Sequence, residues 1–100
     1  MDDKPWFKSY DPGLLHSLEP YPQCTLLDAI AETVSQRPDH TALIFKGQRL
    51  SYRELEQLSD AFAAALAGLG VQKGERVAIV VPNSPQAILG QIGAWKAGAI

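Results

Sequence analysis

The sequence has 100 residues, a formal net charge of −2, 46% hydrophobic residues and 20% charged residues. This balance suits one small globular domain, or part of a larger one, and argues against a disordered tail. The basic residues are scattered singly, which leaves no electrostatic footprint for nucleic acid, and no stretch approaches the ~20 apolar residues of a membrane span.

The amino terminus, MDDKPWF, is charged and lacks the apolar run of a signal peptide. Cys24 is the single cysteine, so no internal disulfide can form, and a reduced thiol in the cytoplasm is expected. Met1 to Pro22 carries four of the seven prolines and shows neither helical nor strand periodicity. It reads as an extended arm, residues 1–24, whose Trp6, Phe7, Tyr10 and Tyr21 can pack on a body or a partner. Residues 25–100 form the second unit.

Thr25 to Gln36 predicts a helix. Thr25 and Asp28 have capping-box spacing, Leu26, Leu27, Ile30 and Val34 make an apolar stripe, and Pro38 ends it. Thr41 to Phe45 predicts a strand, Lys46-Gly47 a turn, and Gln48 to Leu50 a short returning strand. Ser51 and Glu54 form a second capping box, with Leu50 and Leu55 placed as a hydrophobic staple. The helix after it carries Leu55, Leu58, Phe62, Leu66 and Leu69 and stops at Gly70.

The stretch from Arg76 to Gly98 organises the rest. Val77 to Val81 is a continuous apolar run that suits a strand covered on both faces, as in a parallel sheet, and Pro82 ends it. Asn83 or Ser84 can cap the following helix, and Pro85 fits its first position. Ile88, Leu89, Ile92 and Trp95 fall on one helical face, and Gly98 suits a left-handed C-terminal cap. Gly90 and Gly93 each cost about 1 kcal/mol relative to alanine, so close packing on the sheet is expected to compensate. Ile100 falls inside a βαβ unit, so the chain reads as the front part of a larger protein. The expected fold class is α/β, a helix-flanked, mostly parallel sheet with a short hairpin.

No catalytic constellation can be assembled. Gly68, Gly70 and Gly74 follow a helix and precede a strand, the reverse of a dinucleotide fingerprint, and no Walker lysine is present. The amides at Asn83-Ser84-Pro85 could hold an anion, but capping alone is the stronger expectation. His16 and His40 are too far apart for a metal site, Asp39-His40 reads as a solvated loop pair, and Glu54, Glu56, Asp60 and Glu75 fit caps, helix faces and turns. The chain is expected to contribute no catalytic, cofactor-binding or metal residue.

The ordered string from Thr25 onward is nonetheless specific. Ser51-Tyr52 with Glu54-Leu55, Gly70-Val71 with Lys73-Gly74, Arg76-Val77-Ala78 through Pro82-Asn83, and Lys96-Ala97-Gly98-Ala99 together resemble the amino-terminal part of the AMP-forming acyl-CoA synthetase superfamily. Luciferases and peptide-synthetase adenylation domains also belong to that group. The arm KPWFKSYDPG resembles the start of bacterial long-chain fatty acid–CoA ligases. The resemblance implies a two-step reaction with MgATP and coenzyme A as substrates. A fatty carboxylate attacks the α-phosphate to give an acyl-adenylate and pyrophosphate, and the coenzyme A thiol then displaces AMP. The family's phosphate loop, magnesium ligand, ribose aspartate and catalytic lysine all lie beyond Ile100, so none is carried over to a residue here.

Residues 25–100 are therefore expected to be inactive scaffold within the large AMP-binding domain, partnered by the rest of the enzyme, with no nucleic acid and no transmembrane segment. Cytoplasm is the expected location, with peripheral contact at the inner membrane face left open. An aryl- or medium-chain CoA ligase or a peptide-synthetase adenylation domain stays within the same class. The alternative from another class is a stand-alone, non-catalytic interaction module. It would need a way to cover Val77 to Val81, which a homodimer pairing or exchanging strands could supply.

Overall fold

A computed structural model describes residues 4–100, so Met1, Asp2 and Asp3 of the arm lie outside the described residues. The order is a 3-10 helix (Pro5–Ser9), α1 (Leu26–Gln36), β1 (Thr41–Phe45), β2 (Gln48–Ser51), α2 (Tyr52–Gly68) and α3 (Pro85–Lys96). The radius of gyration, 17.9 Å, exceeds the ~13 Å of a compact domain of this length, and the principal extents of 51 × 34 × 28 Å describe an elongated molecule.

The arm differs from the expectation of a purely extended segment. Pro5 starts a short 3-10 helix, and the aromatic rings pack on one another. Phe7 stacks on His16 with centroids 3.9 Å apart, and Tyr10 meets both rings edge-on. Trp6, Leu14, Leu15, Leu18 and Tyr21 stay exposed.

The local signals in the middle of the chain hold. Thr25 and Asp28 form the reciprocal capping box of α1, and Ser51 and Glu54 form that of α2. Lys46 (φ 50°) and Gly47 (φ 78°) are both left-handed, as a two-residue hairpin turn matched to strand twist requires. β1 and β2 pair antiparallel, with Phe45 opposite Gln48 and an irregularity between Thr41 and Leu43. The turn before β1 also serves α2: the Tyr52 and Arg53 amides donate to the carbonyls of His40 and Pro38 at 3.0 and 2.8 Å. Along α1, Leu27, Ile30 and Val34 are half-buried and Leu26 is exposed.

The core lies between α2 and α3, and its centre differs from the expected stripes. On α2 it is Leu55, Ser59 and Leu66 that are buried, while Leu58, Phe62 and Leu69 are exposed. On α3 it is Gly90, Ile92, Gly93 and Ala94, while Ile88 is exposed and Leu89 and Trp95 are half-buried. The small residues explain the choice, because they let the two backbones approach. A Cβ on Gly93 would stand 2.6 Å from Phe62 Cδ1 and 3.1 Å from the Ser59 carbonyl oxygen. Gly93 thus packs on α2 rather than on a sheet, whereas a Cβ on Gly90 would meet Ile79 at 3.6 Å.

Both helices end in the same motif. Gly70 (φ 94°) and Gly98 (φ 83°) follow the last turns of α2 and α3. Their amides donate to Ala67 and Trp95, and the next amides, Val71 and Ala99, reach back to Leu66 and Ala94. These are Schellman caps, in which an apolar residue beyond the cap touches one in the last turn. Here the two contacts merge into one cluster of Leu66, Ala94 and Ala99, with Val71, Val77 and Ala97 packed against it.

Val77 to Val81, expected as a strand, forms none here. A single rung is present beside it: the Ile100 amide donates to Glu75 O (2.8 Å) and the Val77 amide donates to Ile100 O (2.9 Å). One residue bridging positions 75 and 77 of its neighbour is the hydrogen-bond pattern of parallel strands. Among the described residues the parallel sheet is represented by that rung, and the hairpin is the one assigned sheet.

In urea unfolding, Gly93→Ala lowers stability by about 1–3 kcal/mol through overpacking. Gly68→Ala, where a Cβ meets nothing within 4 Å, raises it by about 0.4–1 kcal/mol; equal effects would contradict the seam described here. The Thr25 backbone and side-chain hydrogen bonds hold the Asp28 carboxyl below its ordinary value of 3.8. Its contribution is therefore present above that value and lost as pH falls through the lowered one, so the Thr25 amide resonance should titrate with a midpoint below 3.8.

Candidate functional site

The amino terminus of α3 was the sequence position best suited to hold a ligand. Ser84 is its N-cap, with Pro85 in the first turn, but the expected side-chain cap is absent. Instead the Ser84 hydroxyl donates to the Pro82 carbonyl at 3.1 Å. Asn83 and Ser84 border a dent of about 410 Å³ whose other walls are Leu43, Ile44, Phe45, Pro85, Ala87 and Ile88. No charged side chain is among them, which disfavours a phosphate there.

A second groove, about 420 Å³, lies on the other side of α3. Leu58 and Phe62 of α2, residues 77–81, and Gln86, Leu89 and Gly90 of α3 line it. Val80 is 91% exposed. The groove is apolar, with Gln86 its one polar side chain, and it offers no acid, base or nucleophile.

The densest polar cluster was not singled out from the sequence as a unit. Lys96, in the last turn of α3, reaches across to α2, where Glu56, Ser59 and Asp60 stand one helical turn apart. Its Nζ donates to Glu56 Oε1 (2.6 Å), Asp60 Oδ1 (2.7 Å) and Ser59 Oγ (2.9 Å). Three donors meet three acceptors, which saturates the ammonium. The Lys96 side chain is 16% exposed, Glu56 31% and Asp60 61%. Ser59 is fully buried, and its hydroxyl also donates to Glu56 O at 3.0 Å. Burial pulls the Lys96 pKa down, but the hydrogen bonds to Asp60 and Glu56, with their charges, outweigh it and leave it above the ordinary 10.5. A charged, fully engaged lysine is a poor nucleophile and a poor base. The cluster is a clamp between helices. Its sequence signal is carboxylates at i and i+4 around a serine, with one lysine at the end of the next helix.

The remaining candidates stay apart. Arg53 pairs with the exposed Asp39 at 3.0 Å, His40 takes part through its backbone, and His16 belongs to the arm's aromatic cluster. Cys24 is exposed. Glu75 holds the Gln72 amide at 2.8 Å across a turn. Gly70, Gly74 and Gly98 are left-handed at helix stops and turns. Among the described residues no group of three or more His, Cys, Asp or Glu side chains could hold a metal ion. No helix there is long and apolar enough to cross a membrane.

Comparison with known proteins supplies what this geometry lacks. Residues 30–100 match the family described as AMP-binding enzyme. A long-chain-fatty-acid–CoA ligase of Bacillus subtilis is 38% identical over 102 aligned residues, covering 100% of this chain and 18% of that protein. Bacitracin synthase 1 of Bacillus licheniformis is 40% identical over 74 residues, covering 74% of this chain and 1% of the synthase. Among solved structures, the N-terminal subdomain of NpsA from Klebsiella oxytoca superposes with a TM-score of 0.76 at 34% identity, covering 80% of this chain and 21% of that one. The chain thus spans less than a fifth of the ligase it matches along its whole length.

Lys96→Met tests the clamp. It leaves Glu56 half-buried without its counter-charge and should lower stability by about 1.5–3 kcal/mol. Glu56→Gln should cost more than Asp60→Asn, since the more exposed Asp60 is screened by water. Because the Lys96 pKa is raised, its contribution is complete below 10.5 and fades as pH rises through the raised value. The gap between wild type and Lys96→Met in urea midpoints should stay constant through neutral pH and narrow only in strong alkali. A gap that closes near neutrality would contradict the assignment.

Proposed function

Because the chain belongs to the AMP-binding enzyme family, we propose that it forms the amino-terminal scaffold of a long-chain fatty acid–CoA ligase. The observation that carries this reading is coverage. The family match begins at residue 30, whereas the alignment with the Bacillus subtilis ligase takes in the whole chain, the aromatic arm included. On this reading residues 1–24 are an arm specific to the fatty-acid enzymes, and residues 25–100 are the first part of the large AMP-binding domain.

The enzyme's reaction proceeds in two steps. A fatty carboxylate displaces pyrophosphate from ATP to form an acyl-adenylate, and the sulfur of coenzyme A then displaces AMP. Activation is needed because a carboxylate oxygen is a poor leaving group until it is adenylylated and can depart as AMP. The chain's own residues take no step in this chemistry. Among the described residues, the Lys96 cluster is saturated by its own partners. Their part is mechanical: α2 and α3, locked by Lys96, hold the Val77–Val81 run in place for the remainder of the enzyme to pack against. The cytoplasm, with peripheral contact at the inner membrane face, is the location this role fits.

A peptide-synthetase adenylation domain is the second reading, favoured by the 40% identity to bacitracin synthase 1. The two differ in the acid activated and in the fate of the adenylate. A protein carrying this chain within a complete enzyme should form acyl-CoA, AMP and pyrophosphate in equal amounts from a long-chain fatty acid, ATP and coenzyme A. Amino-acid-dependent exchange of pyrophosphate into ATP, without coenzyme A turnover, would favour the synthetase instead. The 100-residue chain alone should show no fatty-acid-dependent exchange, and exchange by the isolated folded chain would overturn the scaffold role.

A further inference from the structure

We draw no further inference here: the strongest candidate, the apolar groove between α2, α3 and the Val77–Val81 segment, is an unpartnered face that the proposed reading already gives to the remainder of the ligase, and nothing in the structure shows another occupant.

Discussion

The close approach of α2 and α3 is the constraint on which the rest of the structure depends. It requires a residue without a side chain at Gly93, where Phe62 and the Ser59 carbonyl occupy the space of a Cβ. It also brings Lys96 within reach of Glu56, Ser59 and Asp60. Packing and charge thus fix the same pair of helices from two sides. The Schellman caps extend the arrangement, because they fold Val71 and Ala99 back onto Leu66 and Ala94 and join both helix ends in one apolar cluster. The turn after α2 then lies against Gly98, whose absent side chain would meet Lys73. The Gly74 amide bonds to the Gly98 carbonyl. From there Glu75 and Val77 reach Ile100 in parallel register.

The same order of dependence bears on how the segment can serve as a support for further structure. Among the described residues the buried apolar side chains are few: Leu55, Leu66, Ile92, Ala94 and Ala99. A core that small stabilises little on its own, since each fully buried large side chain contributes roughly 1.5–3 kcal/mol. The chain places its polar bonds so that the helices stay in register, and it leaves Ile79, Val80 and Val81 open. Such a surface suits a layer against which further structure is built. The same logic separates the clamp from a catalytic site. A lysine with every donor engaged holds two helices together, and it has no free proton or lone pair to offer a substrate.

Local signals were legible in the sequence because local chemistry sets them. Thr25 with Asp28, Ser51 with Glu54, Lys46-Gly47, and the glycines after α2 and α3 act through neighbours a few residues away, and each works as its spacing implies. Long-range choices were less legible. Periodicity marks Leu58, Phe62 and Leu69 as core, yet Leu58 and Leu69 are exposed, and Phe62 packs its ring edge on Gly93 while remaining partly open, because Ser59, Gly90 and Gly93 bring the two helices close together. The apolar run of residues 77–81 was legible as a segment, but a ladder needs neighbours that composition cannot supply. The Ser84 cap failed for a local reason, since its hydroxyl bonds to the Pro82 carbonyl. Function was legible only through the ordered string of motifs, as resemblance, because no single residue carries it.

The most direct test of the scaffold assignment is the rate of the chemical step per folded molecule. In a complete enzyme carrying this chain, single-turnover release of pyrophosphate would be followed for wild type and Lys96→Met at a temperature where both are fully folded by near-ultraviolet circular dichroism. The account predicts the same rate and amplitude for both, with the variant differing only in the temperature at which it unfolds. A slower step in fully folded Lys96→Met would contradict it and would place the Lys96 cluster within the reaction machinery.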